Sequence, residues 1–180
     1  MHASICDMIT DLVQNAVEAG GREVYLDVTT SPATISVSVK DNGKGMDAET
    51  LKRISDPFYT EPGKHDHRRV GLGIPLLMQT AEACNGTAKI DSEPGKGTCV
   101  TFSLDATHLD TPPMGDLPGT VLGLMTFPGD YDLILTRKTL SDSYRISRKE
   151  LIDTLGDLES AGNLVLARDF LTDQEKSLKS

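Results

Sequence analysis

The tightest constraint in this chain is the six-residue run Asp41-Asn42-Gly43-Lys44-Gly45-Met46 and the strand that leads into it. Ile35, Val37 and Val39 alternate with Ser36, Ser38 and Lys40, the pattern of a half-buried strand. Asp41 continues the parity of the apolar positions, so its carboxylate is expected on the buried face, where it is costly unless donors satisfy it. Gly43 and Gly45 follow at once and allow the backbone to turn sharply and approach a ligand closely, with Met46 closing the run. An inward acid at the mouth of a Gly-x-Gly loop suits the amino group of a base. An Asp-Asn-Gly turn with a locally satisfied aspartate accounts for the same six residues, so the flanking chain has to decide.

Upstream, residues 4–19 have the spacing of a helix stopped by Gly20-Gly21. Ile5, Met8, Ile9, Leu12 and Ala16 form its core-facing stripe. Asp11 and Asn15 lie one turn apart on one flank. An amide oxygen at a pocket edge suits a hard cation such as Mg²⁺, and a carboxylate one turn away can polarise a water or hydroxyl. A solvated polar flank is the plainer reading of the same pair.

Two strands are expected near 24–29 and 34–40, then a short helix from an Asp47 N-cap to about Ile54, ended by Asp56-Pro57-Phe58-Tyr59. Residues 60–70 are poor in apolar side chains and carry Lys64, His65, His67, Arg68 and Arg69, a local basic cluster that reads as a mobile lid meeting phosphates or, more plainly, as a solvated loop. Gly71-Leu72-Gly73-Ile74-Pro75 then opens a helix to about Cys84, with Pro75 suited to its first turn and the glycines exposing N–H groups to an anion. A hairpin over 87–92 and 98–104 follows, in which Thr98 shares the inward parity of Val100, Phe102 and Leu104. That parity fits Thr98 beside Asp41, acting through its hydroxyl or through a water, and fits an ordinary strand threonine as well.

Bulk properties narrow the function. A chain of 180 residues with 38% hydrophobic and 25% charged residues is an ordinary globule. No apolar run approaches the ~20 residues of a membrane span, and there is no basic-then-apolar leader. Cys6, Cys84 and Cys99 are odd in number and lack metal-type spacing, which suggests a reducing, cytoplasmic setting. A net charge of −9 argues against a nucleic-acid backbone binder while leaving small nucleotides open.

In order, these pieces resemble the GHKL superfamily, the ATP-binding fold shared by histidine kinases, gyrase B, MutL and a heat-shock chaperone, over roughly residues 1–105. Asp11-Leu12-Val13-Gln14-Asn15-Ala16 looks like the N box, Asp41 to Gly45 like the first glycine box, and Pro57-Phe58-Tyr59 like the F box. Gly71-Leu72-Gly73 looks like the second glycine box, and Gly95-Lys96-Gly97-Thr98 like the last glycine-threonine element. The spacing is most similar to the catalytic, ATP-binding domain of sensor histidine kinases. The resemblance implies an α+β fold, a two-layer α/β sandwich with helices on one face of a mixed sheet. It implies ATP and Mg²⁺ as cofactors, with Asn15 on the metal and Asp41 on the adenine amino group supported by Thr98. Gly43, Gly45, Met46, Phe58, Gly71, Leu72 and Gly73 would complete the nucleotide site.

Position 11 departs from the family pattern. Histidine kinases carry asparagine there, and the hydrolysing relatives and anti-sigma serine kinases carry glutamate as a general base. Asp11 therefore leans toward base catalysis, with a reach one methylene shorter. The helix carrying Asp11 starts almost at Met1, and no dimerisation helix pair with a phospho-accepting histidine precedes it. His2 lacks that context, so autophosphorylation of the usual type is not expected.

Beyond the domain at 1–105, residues 106–119 read as a Pro-rich linker and 120–180 as a small C-terminal αβ extension. Strands are expected at 120–126 and 132–137. A Ser147-x-x-Glu150 capping box should open a helix burying Leu151, Ile152, Leu155 and Leu158, and the end should fray from Thr172. This part either packs on the main domain, extends its sheet, or docks a partner. The functional expectation is an ATP-dependent protein kinase that passes phosphate to a protein partner. An ATP-hydrolysing switch and a non-catalytic nucleotide sensor are the alternatives.

Overall fold

The computed structural model describes residues 3–55 and 73–179. Helix α1 (Ile5–Glu18) opens on a capping box in which the Ser4 hydroxyl accepts from the Asp7 N–H and the Asp7 carboxylate accepts from the Ser4 N–H. Its buried stripe contains Ile5, Met8, Ile9, Leu12 and Ala16 as expected, and is widened by Cys6 and Val13. Strands β1 (Glu23–Thr30) and β2 (Thr34–Asp41) form an antiparallel hairpin. Helix α2 (Ala48–Ile54) starts on the Asp47 N-cap. Helix α3 (Gly73–Ala83) ends at Asn85, whose positive φ lets the chain turn back, with the Gly86 N–H donating to the Ala81 carbonyl. Strands β3 (Thr87–Glu93) and β4 (Gly97–Asp105) complete a second hairpin, and β4 pairs antiparallel with β2.

The C-terminal third continues the same sheet. Residues 117–125 form helix α4 (Leu117–Met125), which corrects the strand expected at 120–126. The Asp116 carboxylate caps it by accepting from the Gly119 N–H, and Pro118 sits in its first turn. Strand β5 (Asp132–Lys138) then pairs parallel with β1, and β6 (Ser143–Ser147) pairs antiparallel with β5, giving the sheet order β3-β4-β2-β1-β5-β6. Helix α5 (Arg148–Leu155) has the expected Ser147–Glu150 capping box. The end is not frayed from Thr172: helix α6 (Ala161–Ser177) runs through it, with Ala167 and Leu171 fully buried.

The molecule is thus an α+β sandwich. Inward residues of the strands (Leu26, Val37, Phe102, Leu104 and Leu135 among them) share one core with residues from α1, α3, α4, α5 and α6. The segment 106–116 is held against that layer. Pro113 and Met114 carbonyls accept the first N–H groups of α1, and the Cys84 thiol donates to the Asp110 carbonyl.

Candidate nucleotide site

The end of β2 delivers Asp41 inward, as its parity predicts, with only 6% of its surface exposed. Two backbone amides face the carboxylate: the Gly43 N–H donates to Oδ1 at 2.8 Å, and the Thr98 N–H adds a weaker attraction. Burial pushes the Asp41 carboxyl above its usual range, and the two amides pull it partly back. A carboxylate offers about four acceptor positions, so two amides leave capacity for a donor arriving from the cleft.

The loop after Asp41 is clamped between the end of α1 and the β3–β4 turn. The Lys44 N–H donates to the Ala19 carbonyl at 3.0 Å, and the Lys44 carbonyl accepts from the Gly95 N–H at 2.7 Å. Two glycines are obligatory in that clamp. Gly45 has φ +64 and a Cβ there would lie 2.0 Å from the Glu93 carbonyl oxygen. Gly97 has φ +106 and its Cβ would lie 2.0 Å from the Asp41 carbonyl oxygen. Asn42 fastens the other side, its side-chain oxygen accepting from the Arg22 and Glu23 N–H groups at 2.9 and 3.0 Å.

An open cleft of about 310 Å³ lies against Asp41, bounded by Leu51 of α2, Ile90 and Ser92 of β3, and Gly97 and Thr98 of β4. Leu51 and Ile90 are apolar walls and Asp41 the acceptor, a suitable pairing for a flat heterocycle with an exocyclic amino group. The Thr98 hydroxyl does not reach Asp41. It sits 2.8 Å from the Ser92 hydroxyl, and it is the backbone of Thr98 that serves Asp41. The Met46 N–H also ends on Ser92, at 2.9 Å. Ser92, Leu51 and Ile90 were not among the expected site residues. Hairpin register was the available signal, because a turn at 94–96 sets Ser92 directly opposite Thr98.

At the other end of the site, α1 and α3 approach each other. Asn15 is exposed on α1 and Asp11 is half-buried one turn earlier. A side chain at Gly73 would begin 3.5 Å from Asp11 Oδ2, so the first turn of α3 lies alongside that carboxylate. Among the described residues no group of three or more His, Cys, Asp or Glu side chains is placed to hold a metal by itself. Phe58, Gly71, Leu72 and the basic segment at 60–70, expected as a lid, lie outside the described residues.

The sandwich, the buried acid and the glycine-clamped cleft define a nucleotide-binding domain of the α+β type. Residues 2–108 match the family described as histidine kinase-, DNA gyrase B-, and HSP90-like ATPase, and the chain belongs to that family. Among characterised relatives it is 36% identical over 99 residues to the sensor histidine kinase YxdK of Bacillus subtilis, covering 53% of this chain and 30% of the relative. It is 38% identical over 100 residues to the sensor histidine kinase ZraS of Klebsiella oxytoca, covering 54% of this chain and 21% of the relative. The match therefore spans less than a third of either relative. In fold, the chain is similar to a crystal structure described as the N-terminal domain of a DNA repair protein. That superposition has a TM-score of 0.57 at 13% identity and covers 91% of this chain and 59% of the other. No helix among the described residues is long and apolar enough to cross a membrane.

Proposed function

We propose that this chain binds Mg-ATP and passes its terminal phosphoryl group to a protein partner in a signalling pathway, in the cytoplasm. The observation that carries this reading is Asp41: a buried carboxylate hydrogen-bonded by the Gly43 amide, with the Thr98 amide facing it, beside a cleft with apolar walls. Asp41 accepts the adenine amino group, with Gly43, Gly45 and Met46 forming the loop beneath the base. Phe58, Gly71, Leu72 and Gly73 complete the nucleotide site.

The donor set at the α1 edge fits a magnesium ion held mainly by substrate phosphates. Asn15 offers a hard amide oxygen on an exposed flank, and a single protein ligand suffices for such a site. When bound, Mg²⁺ supplies charge neutralisation on the phosphates. Asp11 is the candidate base, taking a proton from the acceptor hydroxyl or imidazole. Its place beside Gly73 brings it to the α3 terminus, where an anion is favoured by the helix dipole.

A second reading is favoured by the acidic character of position 11: an ATP-hydrolysing switch in which Asp11 orients water. Phosphate release from Mg-ATP separates the two when wild type is compared with Asp11→Asn and nucleotide binding is followed in both. Partner-independent release that disappears in the variant, with binding kept, supports the hydrolytic switch. Transfer only in the presence of an acceptor supports the kinase. ATP affinity unchanged in Asp41→Asn would remove the foundation of both.

A further inference from the structure

The pairing of Ser92 with Thr98 at the mouth of the Asp41 cleft carries a consequence for base selection. Ser92 Oγ has three neighbours: the Met46 N–H at 2.9 Å, the Gly97 carbonyl oxygen at 3.1 Å and Thr98 Oγ1 at 2.8 Å. The amide can only donate and the carbonyl can only accept. A serine hydroxyl has one proton and two lone pairs. Its proton therefore belongs on the Gly97 carbonyl, since giving it elsewhere would leave two bare oxygens facing each other at 3.1 Å. One lone pair takes the Met46 N–H, and the second is left for Thr98. The Thr98 hydroxyl must then donate to Ser92, and what it has left is acceptor capacity.

We propose that Ser92 is a positioning residue that sets the Thr98 hydroxyl as an acceptor toward the cleft and thereby makes the site selective for a base carrying an amino group over one carrying a carbonyl. The inference rests on the nucleotide-binding reading of the Asp41 site. Asp41 and Thr98 then present acceptors side by side, matched to a 6-aminopurine. A 6-oxopurine brings its own acceptor to the same place and meets repulsion, the kind of mismatch that leaves buried polar groups unpaired. The same hydroxyl ties the Asp41–Met46 loop to β3 through the Met46 N–H, so base selection and loop position share one atom.

The test measures affinity for ATP and for ITP, which differ at the purine 6-position, in wild type, Ser92→Ala, Thr98→Val and the double variant. Ser92→Ala frees the Thr98 proton to turn into the cleft. ATP affinity should fall about threefold to tenfold, and the ATP-to-ITP ratio should narrow by a similar factor. Ser92→Thr, which keeps the hydroxyl, should restore the ratio. In the Thr98→Val background, removing Ser92 should no longer change the ratio, an outcome that a purely structural serine would not produce. Wild type binding ATP with a ratio untouched by Ser92→Ala overturns this proposal alone. The same holds if Ser92→Ala changes the ratio equally with and without Thr98. Wild type binding neither nucleotide overturns the nucleotide-site reading and the proposal with it.

Discussion

Asp41 and Glu175 are acids at opposite ends of one core, and the fold treats them in opposite ways. Glu175, on α6, is engaged by neighbouring side chains. Arg137 Nε reaches its two oxygens at 3.1 and 3.4 Å, and the Tyr144 hydroxyl donates to it at 2.8 Å. Arg137 itself is buried and spends a further N–H on the Lys138 carbonyl at 2.6 Å. Asp41 has backbone amides as its donors and its carboxyl is pushed up by burial. Side-chain donors carrying charge satisfy an acid and lock it. Backbone donors hold it in place and leave it hungry for another partner. The first arrangement fastens α6 across β5 and β6, and the second suits a ligand site.

The largest expected effect comes from opening the closed cluster. Glu175 has 21% of its side chain exposed in the native fold, and Arg137→Ala takes away the guanidinium beside it. It should lower stability by about 3 kcal/mol, because a buried charge is left uncompensated. Chemical denaturation measures this, and the double replacement Arg137→Met with Glu175→Leu should recover most of it. ATP affinity, measured where the variant is folded, should stay within about twofold of wild type, since sites this far apart act additively. A parallel loss of affinity would show that the two ends are one coupled unit and break the contrast.

Next comes the open acid. Asp41→Asn should weaken ATP binding by about 100-fold, roughly 2.7 kcal/mol, while leaving the circular dichroism spectrum unchanged. The asparagine oxygen still accepts the Gly43 N–H. Its amide nitrogen meets the incoming amino group, donor against donor. Calorimetric titration with ATP decides it, and retained affinity would mean that Asp41 is a turn aspartate after all.

Legibility in the sequence follows the same division. Asp41 was readable because strand parity has period two and one face of β2 is buried, so a single alternation placed the carboxylate. Helix α1 was readable from its stripe. The C-terminal elements were harder, for reasons local to each. In α4 the run Val121 to Met125 is apolar at four of five positions, and a short apolar run has no visible period. The Asp116 cap and Pro118 were the better guides there. Helix α6 exposes Val165, Leu166 and Phe170 while burying Ala167 and Leu171, so its apolar residues do not trace one face. The parallel pairing of β5 with β1 is a long-range contact that no local pattern encodes. At the site itself, Thr98 was placed beside Asp41, yet which of its atoms does the work depended on Ser92 across the hairpin.

A smaller effect sharpens the closed side. Tyr144→Phe removes one hydrogen bond to a charged acceptor and should cost about 1.5 kcal/mol at neutral pH. Burial, and then the Glu175 carboxylate beside it, push the Tyr144 phenol well above its ordinary range. The native state thus keeps that proton where the unfolded chain loses it. Stability should fall as pH rises beyond about 10. Burial pushes Tyr131 and Cys6 up as well, so the phenylalanine variant should show a smaller alkaline loss than wild type in denaturation series, the difference being the share of Tyr144.

The finest distinction is the acid-side signature of Asp41. Below the unfolded value of about 3.9 the carboxyl is protonated in both states and contributes nothing to the difference. Between that value and its raised folded one, the unfolded chain has given up the proton while the native state retains it. The native state binds more protons there, so this group's contribution to stability falls as pH rises and is flat above. Asp47, Asp105, Asp116 and Asp157 are shifted down by their caps and turns and pull the opposite way, so total stability hides the effect. The wild-type value minus the Asp41→Asn value exposes it, because the other four acids cancel. That difference should decline with rising pH across the window and then level off. ATP affinity should rise over the same window, since the amino group needs the ionised carboxylate, and binding there should release a proton, visible by calorimetry in buffers of different ionisation heat. A stability difference that stays level across the window would mean that Asp41 titrates like an exposed acid, and the contrast with Glu175 would lose its physical basis.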